Sequence, residues 1–95
     1  MSVVVVIDLI VKDGHREPLL VQLPKILPDT KAYDGCLFLK IAVYEGKNVV
    51  ALYEEWETKE RQEAYAAWRK ENGHELIEPH LGTFQASYAD VLNTY

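Results

Sequence analysis

The 95-residue sequence is short of most residues that announce a chemistry. A single cysteine, Cys36, excludes an internal disulfide and a cysteine metal cluster, and it reads as a small half-buried apolar side chain. The only serines are Ser2 and Ser87, so no serine–histidine–acid set can be assembled. The five glycines stand singly at positions 14, 35, 46, 73 and 82, which excludes a Gly-rich phosphate loop. His15, His74 and His80 form no pair at i, i+3 or i+4 and none lies close to the cysteine, so no metal site is expected. There is no basic cluster either. Ten Lys and Arg are scattered from Lys12 to Lys70 among fifteen acids, giving a net charge of −5, and a phosphate backbone needs a concentrated positive face. The longest apolar run, VVVVIDLIV, is broken by Asp8, lacks a basic flank and ends at Lys12. It is too short for a membrane span and wrongly flanked for a signal peptide. The expectations are no nucleic acid, no membrane and a cytoplasmic location.

What is present is an ordinary globular composition, 48% apolar and 26% charged, which argues against disorder. A chain this short makes one domain, residues 1–95, and buries only roughly 60–65% of its unfolded surface. Its core is thin, and self-association would help it.

The periodicity predicts a definite order of elements. Val3 to Val11 reads as a strand, with Val3, Val5, Ile7, Leu9 and Val11 on one apolar face and Val4, Val6, Asp8 and Ile10 on the other. A strand apolar on both faces belongs to a sheet covered on both. After a turn at Lys12–His15, Pro18 suits the first turn of a helix, and Leu19, Leu20, Leu23, Ile26 and Leu27 give it an apolar stripe. Pro24 stands inside that stripe, so a kink or break is expected there. Cys36 to Tyr44 and Val49 to Glu57 read as an antiparallel hairpin joined through Gly46. Thr58 is a natural N-cap for a second helix that Gly73 ends, with Ala64, Tyr65, Trp68 and Asn72 on its inner stripe. A short helical or irregular segment follows from His74 to Leu81, then a last strand from Thr83 to Tyr88 and a tail over 89–95. Strand, helix, strand, strand, helix, strand is the split βαβ order of an α+β, ferredoxin-like domain with an antiparallel sheet. Helices would cover one sheet face, and a second copy is the economical cover for the other.

Several residues invite a chemical reading. Asp8 is an acid in an apolar strand, a costly placement if unpaired. It is either a base of raised pKa in a pocket or a group in a solvated or dimer-facing channel that pairs with Lys40. Glu54, on the same strand face as Trp56, poses the same choice between a pocket group and a hydrogen-bonded anchor. Tyr53, Trp56, Tyr65 and Trp68 crowd one strand-to-helix junction, where they either fill the core or line a pocket. Tyr and Trp carry polar tips that a purely apolar core would avoid. His74, just beyond the helix, adds an imidazole, the side-chain type most used for proton transfer. Together these suit a planar phenolic or quinone-like ligand.

The run ILPDTKAYDGC, the hairpin, and LYEEWETKERQEAYAAWRKENG together resemble the antibiotic biosynthesis monooxygenase family, whose members are small dimeric α+β barrels. The resemblance rests on Asp34-Gly35-Cys36 after the first helix, on Glu54-x-Trp56 before a capped helix, and on Tyr65-x-x-Trp68-Arg69 with Gly73 nearby. It covers about residues 3–88. It implies a cofactor-free oxygenation, in which a bound phenol or quinol loses a proton and its anion passes an electron to dioxygen. The protein then supplies desolvation, orientation and stabilisation of the anion. Under that reading His74, Arg69 and Asp8 are the catalytic candidates. Trp68, Tyr65, Trp56, Tyr53 and Glu54 are the substrate-binding candidates. No cofactor or metal is implied, and the partners are a small aromatic substrate and a second copy joined through sheet faces. Haem-degrading relatives depend on an asparagine in the first strand and a histidine late in the second helix. Here the strand offers Ile7 and Asp8, and His74 lies past the expected helix end, so that activity fits poorly. Two other functions use the same scaffold: a non-catalytic dimeric small-molecule-binding module, and an isomerase or cyclase with Asp8 or His74 as base.

Overall fold

β-branched runs build the centre of the sheet. In a computed structural model that describes residues 1–95, strand β1 (Val3–Val11) lies between β3 (Val49–Trp56) and β4 (Leu81–Asp90), antiparallel to both. Strand β2 (Cys36–Val43) forms a hairpin with β3, so the order across the sheet is β2-β3-β1-β4. With helix α1 (Arg16–Ala32) between β1 and β2, and α2 (Lys59–Glu71) between β3 and β4, this is the ferredoxin-like α+β arrangement. The sheet is open, with β2 and β4 as edges.

Register decides which residues meet the helices. Val3, Val5, Ile7 and Leu9 stand opposite Trp56, Glu54, Leu52 and Val50, so these positions share one face. Val5, Val50 and Trp56 are fully buried there, Val50 in a cluster with Leu19 and Leu23 of α1, and Val5 and Trp56 in a second cluster with Tyr65 of α2. Buried positions on α1 fall at Leu19, Leu23, Ile26 and Thr30, the three- and four-residue spacing of a helix seated on a sheet.

Two features differ from the sequence expectation. Helix α1 runs unbroken through Pro24 and Pro28. Both prolines are exposed and four residues apart, so they lie on one outer face, where water can take the carbonyls that lose a partner. The inner stripe of α2 is Gln62, Tyr65 and Arg69, whereas Ala64 and Asn72 are exposed and Trp68 is half-buried. The helix therefore turns a polar stripe inward, and Arg69 meets backbone carbonyls rather than water.

The other elements follow the sequence signals, except that β4 runs from Leu81 to Asp90, beyond the expected Thr83–Tyr88 at both ends and into the expected tail. Thr58 caps α2 by accepting a hydrogen bond from the Arg61 N–H at 3.2 Å. Gly73 ends the helix with φ of 84°, a conformation that favours glycine, and a Cβ there would stand 2.8 Å from Arg69 Nη1. Two 3₁₀ turns, His74–Leu76 and Glu78–His80, then lead into β4. The Nδ1 atoms of His15 and His80 lie 3.0 Å apart and tie this segment to the turn before α1. No helix is long and apolar enough to cross a membrane.

Candidate functional site

Between the sheet and the helices lies a cavity of about 380 Å³. Apolar side chains make most of its wall, including Ile7 and Leu9 of β1, Leu23 and Ile26 of α1, and Ile77. Into this apolar space the fold directs a few polar groups: Glu54, Gln62, Tyr65, Arg69 and His74. The volume and the sparse polar lining match a small-molecule site, for which roughly 300–1,000 Å³ is usual.

Arg69 is the most constrained of these groups. It is 8% exposed, and no carboxylate lies within ion-pairing distance. Its Nε donates to Tyr65 Oη at 2.9 Å and its Nη1 to the Asn72 carbonyl at 2.9 Å. Its Nη2 donates to the Ile26 carbonyl and to Thr30 Oγ1, both at 2.9 Å. Tyr65 Oη and Thr30 Oγ1 are themselves 2.6 Å apart. The guanidinium also stands over the Trp68 ring at 4.8 Å and the Tyr65 ring at 5.3 Å from the centroids. Neutral carbonyls, hydroxyls and ring faces thus hold a full positive charge in place without cancelling it. An anion entering the cavity meets an uncompensated cation in a low-dielectric wall.

Glu54 is the second charged group, 1% exposed on β3. Trp56 Nε1 donates to its Oε1 at 2.8 Å. Burial pushes the Glu54 carboxyl above the usual carboxylate range, and the Trp56 hydrogen bond opposes that rise. His74 is half-buried near the start of the first 3₁₀ turn, with its Nε2 3.9 Å from the exposed Glu78 carboxylate. Tyr88 of β4 donates to Gln62 Oε1 at 3.0 Å, joining α2 to the edge strand along the cavity wall.

The sequence candidates separate into three places. His74, Arg69, Tyr65 and Glu54 line the cavity together. Trp56 and Trp68 lie behind it, in an aromatic group with Tyr33 and Tyr65 in which Trp56 stacks on Tyr65 at 5.1 Å between centroids. The crowding at the strand-to-helix junction thus serves both purposes: the tryptophans build core, and Tyr65 carries the group to the cavity. Asp8 and Tyr53 sit on the opposite sheet face, because even positions of β1 and odd positions of β3 point away from the helices. There Asp8 accepts a hydrogen bond from Tyr44 Oη at 3.3 Å, and no ion pair joins it to Lys40. Tyr53 and the Asp8 carboxylate both push the Tyr44 phenol up. Cys36 is not poised as a thiolate: burial pushes its thiol up, and its Sγ donates to the Phe38 carbonyl at 3.7 Å.

Gln62, Thr30 and Tyr88 belong to the site and carry no local sequence signal.

A single open sheet with two helices over one face and an apolar, polar-tipped cavity between them defines a small ferredoxin-like α+β domain with one candidate ligand site. The family model for antibiotic biosynthesis monooxygenase matches residues 2–86, and the chain belongs to that family. Among curated protein sequences none matches. Solved structures share the fold at low identity. SO0527 from Shewanella oneidensis is 20% identical with a TM-score of 0.79, over 93% of this chain and 88% of its own. Rv0793 from Mycobacterium tuberculosis is 16% identical with a TM-score of 0.81, over 99% and 98%. A structure described as an antibiotic biosynthesis monooxygenase is 16% identical with a TM-score of 0.81, over 96% and 99%.

Proposed function

We propose that the protein is a cofactor-independent monooxygenase that oxidises a small aromatic quinol or polyphenol with dioxygen, working as a homodimer joined through sheet faces. The observation that carries this reading is Arg69, a buried guanidinium without a carboxylate partner in the wall of an apolar cavity. A neutral phenol enters such a cavity favourably, and its anion is stabilised there by a cation that needs no reorganisation. The substrate O–H breaks, the electron pair stays on the ring oxygen, and the electron-rich anion reduces dioxygen. For a quinol, one oxygen atom enters the ring and the other leaves as water, with all four electrons drawn from the substrate. Tyr65 and Thr30 position the guanidinium, and His74 is placed to take or relay the hydroxyl proton.

Family membership supports the reaction class and leaves the substrate to the cavity. Dioxygen uptake on mixing with hydroquinones tests the reading. His74→Ala is expected to lower kcat by about 10²–10⁴-fold with little change in KM, the signature of a proton-transfer group. Arg69→Met is expected to abolish uptake. A wild-type protein that binds hydroquinones but consumes no dioxygen would leave a non-catalytic binding module in place of the enzyme.

A further inference from the structure

Glu54 is the one acid in the cavity wall, and the fold satisfies only half of it. Trp56 Nε1 occupies Oε1 at 2.8 Å, while Oε2 receives no hydrogen bond and no cation from the chain. Trp56 is itself fully buried and stacked on Tyr65, so its indole N–H has no freedom to move to the other oxygen. Oε2 is not sealed in the core but stays accessible beside the cavity, so the cavity is where a donor for this unpaired acceptor can come from. We infer that Glu54 determines the specificity of the cavity: its Oε2 accepts a hydrogen bond from an aromatic hydroxyl, so the site takes phenols and quinols and rejects their methyl ethers. This rests on the reading of the cavity as an aromatic-ligand site. An acceptor built for a hydroxyl discriminates strongly against a ligand without one, because the ether leaves the acceptor unpaired. Glu54 also favours the neutral hydroxyl over its anion at first contact, whereas Arg69 favours the anion that follows.

The test is anaerobic calorimetric binding of hydroquinone and of 1,4-dimethoxybenzene to the full chain. The wild type is expected to prefer hydroquinone by about 10–100-fold near neutral pH, the range of a hydrogen bond to a charged group. Glu54→Gln keeps the side-chain shape, and Trp56 still holds Oε1, so the amide NH₂ must face the cavity as a donor. The preference should then vanish or reverse. Equal binding of both ligands by the wild type, binding of neither, or an unchanged preference in Glu54→Gln overturns the inference. A pH series gives a second measurement. The titratable and charged groups facing the cavity beside Glu54 are Tyr65, Arg69, Lys70, His74 and Tyr88. The wild-type preference should fall on acidification as Glu54 takes its proton, and it should still fall in His74→Gln. Its persistence at low pH, or loss of the transition in His74→Gln, overturns the assignment even where Glu54→Gln does not fold. Hydroxyl preference without dioxygen uptake would sink the oxygenase reading alone. Uptake without hydroxyl preference would sink the role of Glu54 alone.

Discussion

At the scale of single residues, two buried charges face the cavity under opposite arrangements. Arg69 is held by four hydrogen bonds to oxygens and flanked by two ring faces. Glu54 has one donor, and burial raises its affinity for a proton. That rise has a definite consequence for stability. The unfolded chain loses this proton in the ordinary carboxylate range, and the native protein holds it to higher pH. In the window between the two values the native state binds more protons, so stability falls as pH rises through it. Below the window Glu54 is protonated in both states and contributes no pH dependence. Glu54→Gln is therefore expected to melt above the wild type at neutral pH, with the difference disappearing below the usual carboxylate range. A variant that melts below the wild type at neutral pH would mean that the carboxylate makes a stabilising contact.

At the scale of elements, α1 shows tertiary packing overriding local propensity. Pro24 costs the helix a hydrogen bond to the Leu20 carbonyl, yet Leu23, Ile26 and Thr30 stay seated on the sheet and hold the last turns in register. Because Pro24 is exposed, its replacement disturbs no core contact. Proline is about 3 kcal/mol worse than alanine inside a helix, offset by about 0.4–1 kcal/mol of lost unfolded-chain entropy. Pro24→Ala is expected to stabilise the protein by about 2–3 kcal/mol in urea unfolding. A loss of stability would show that the chain at Pro24 departs from regular helix. Helix α2 was the more legible of the two, since Thr58, Gly73 and the Tyr65 position all carry their own signals. Its rotation was not legible. Gln62 carries no sign of burial and Arg69 stands out only through the family resemblance, until Thr30, the Ile26 carbonyl and Tyr88 come from other elements to meet them.

At the scale of the molecule, the helices cover the centre of one sheet face, leaving Phe84 and Tyr88 of the edge strand β4 exposed on that side, and they leave the other face bare. Val4, Val6 and Ile10 are half-buried there, and Phe38 and Tyr53 are 41% and 37% exposed. An apolar face of this kind on a small protein marks an interface, and it supports the proposed face-to-face dimer. Asp8 and Tyr44 lie on the same face as a hydrogen-bonded polar pair, so a contact there would carry a polar centre within an apolar surround. Val6→Asp places a charge in the middle of that face without touching the helix side. Size-exclusion chromatography with light scattering is expected to give a dimer for the wild type and a monomer for Val6→Asp. A wild-type monomer at micromolar concentration would end the dimer proposal.

The order of elements, the hairpin, the caps and the apolar face of β1 were determined by the sequence alone, because each depends on neighbours within one or two turns or on a period of two or 3.6 residues. Family membership was readable for the same reason, from Asp34-Gly35-Cys36, Glu54-x-Trp56 and Tyr65-x-x-Trp68-Arg69 in order. The cavity was decided only by tertiary structure. Whether Glu54 is an anchor or an open acceptor depends on Trp56 taking one oxygen. Whether Arg69 is a surface cation or a buried one depends on the Ile26 carbonyl and Thr30, some forty residues earlier in the chain. The placement of Asp8 on the far face, away from the cavity, follows from register, in which one position along a strand exchanges the two faces of a sheet. Long-range pairing of this kind leaves no periodic trace, so it is visible only once the sheet and helices have come together.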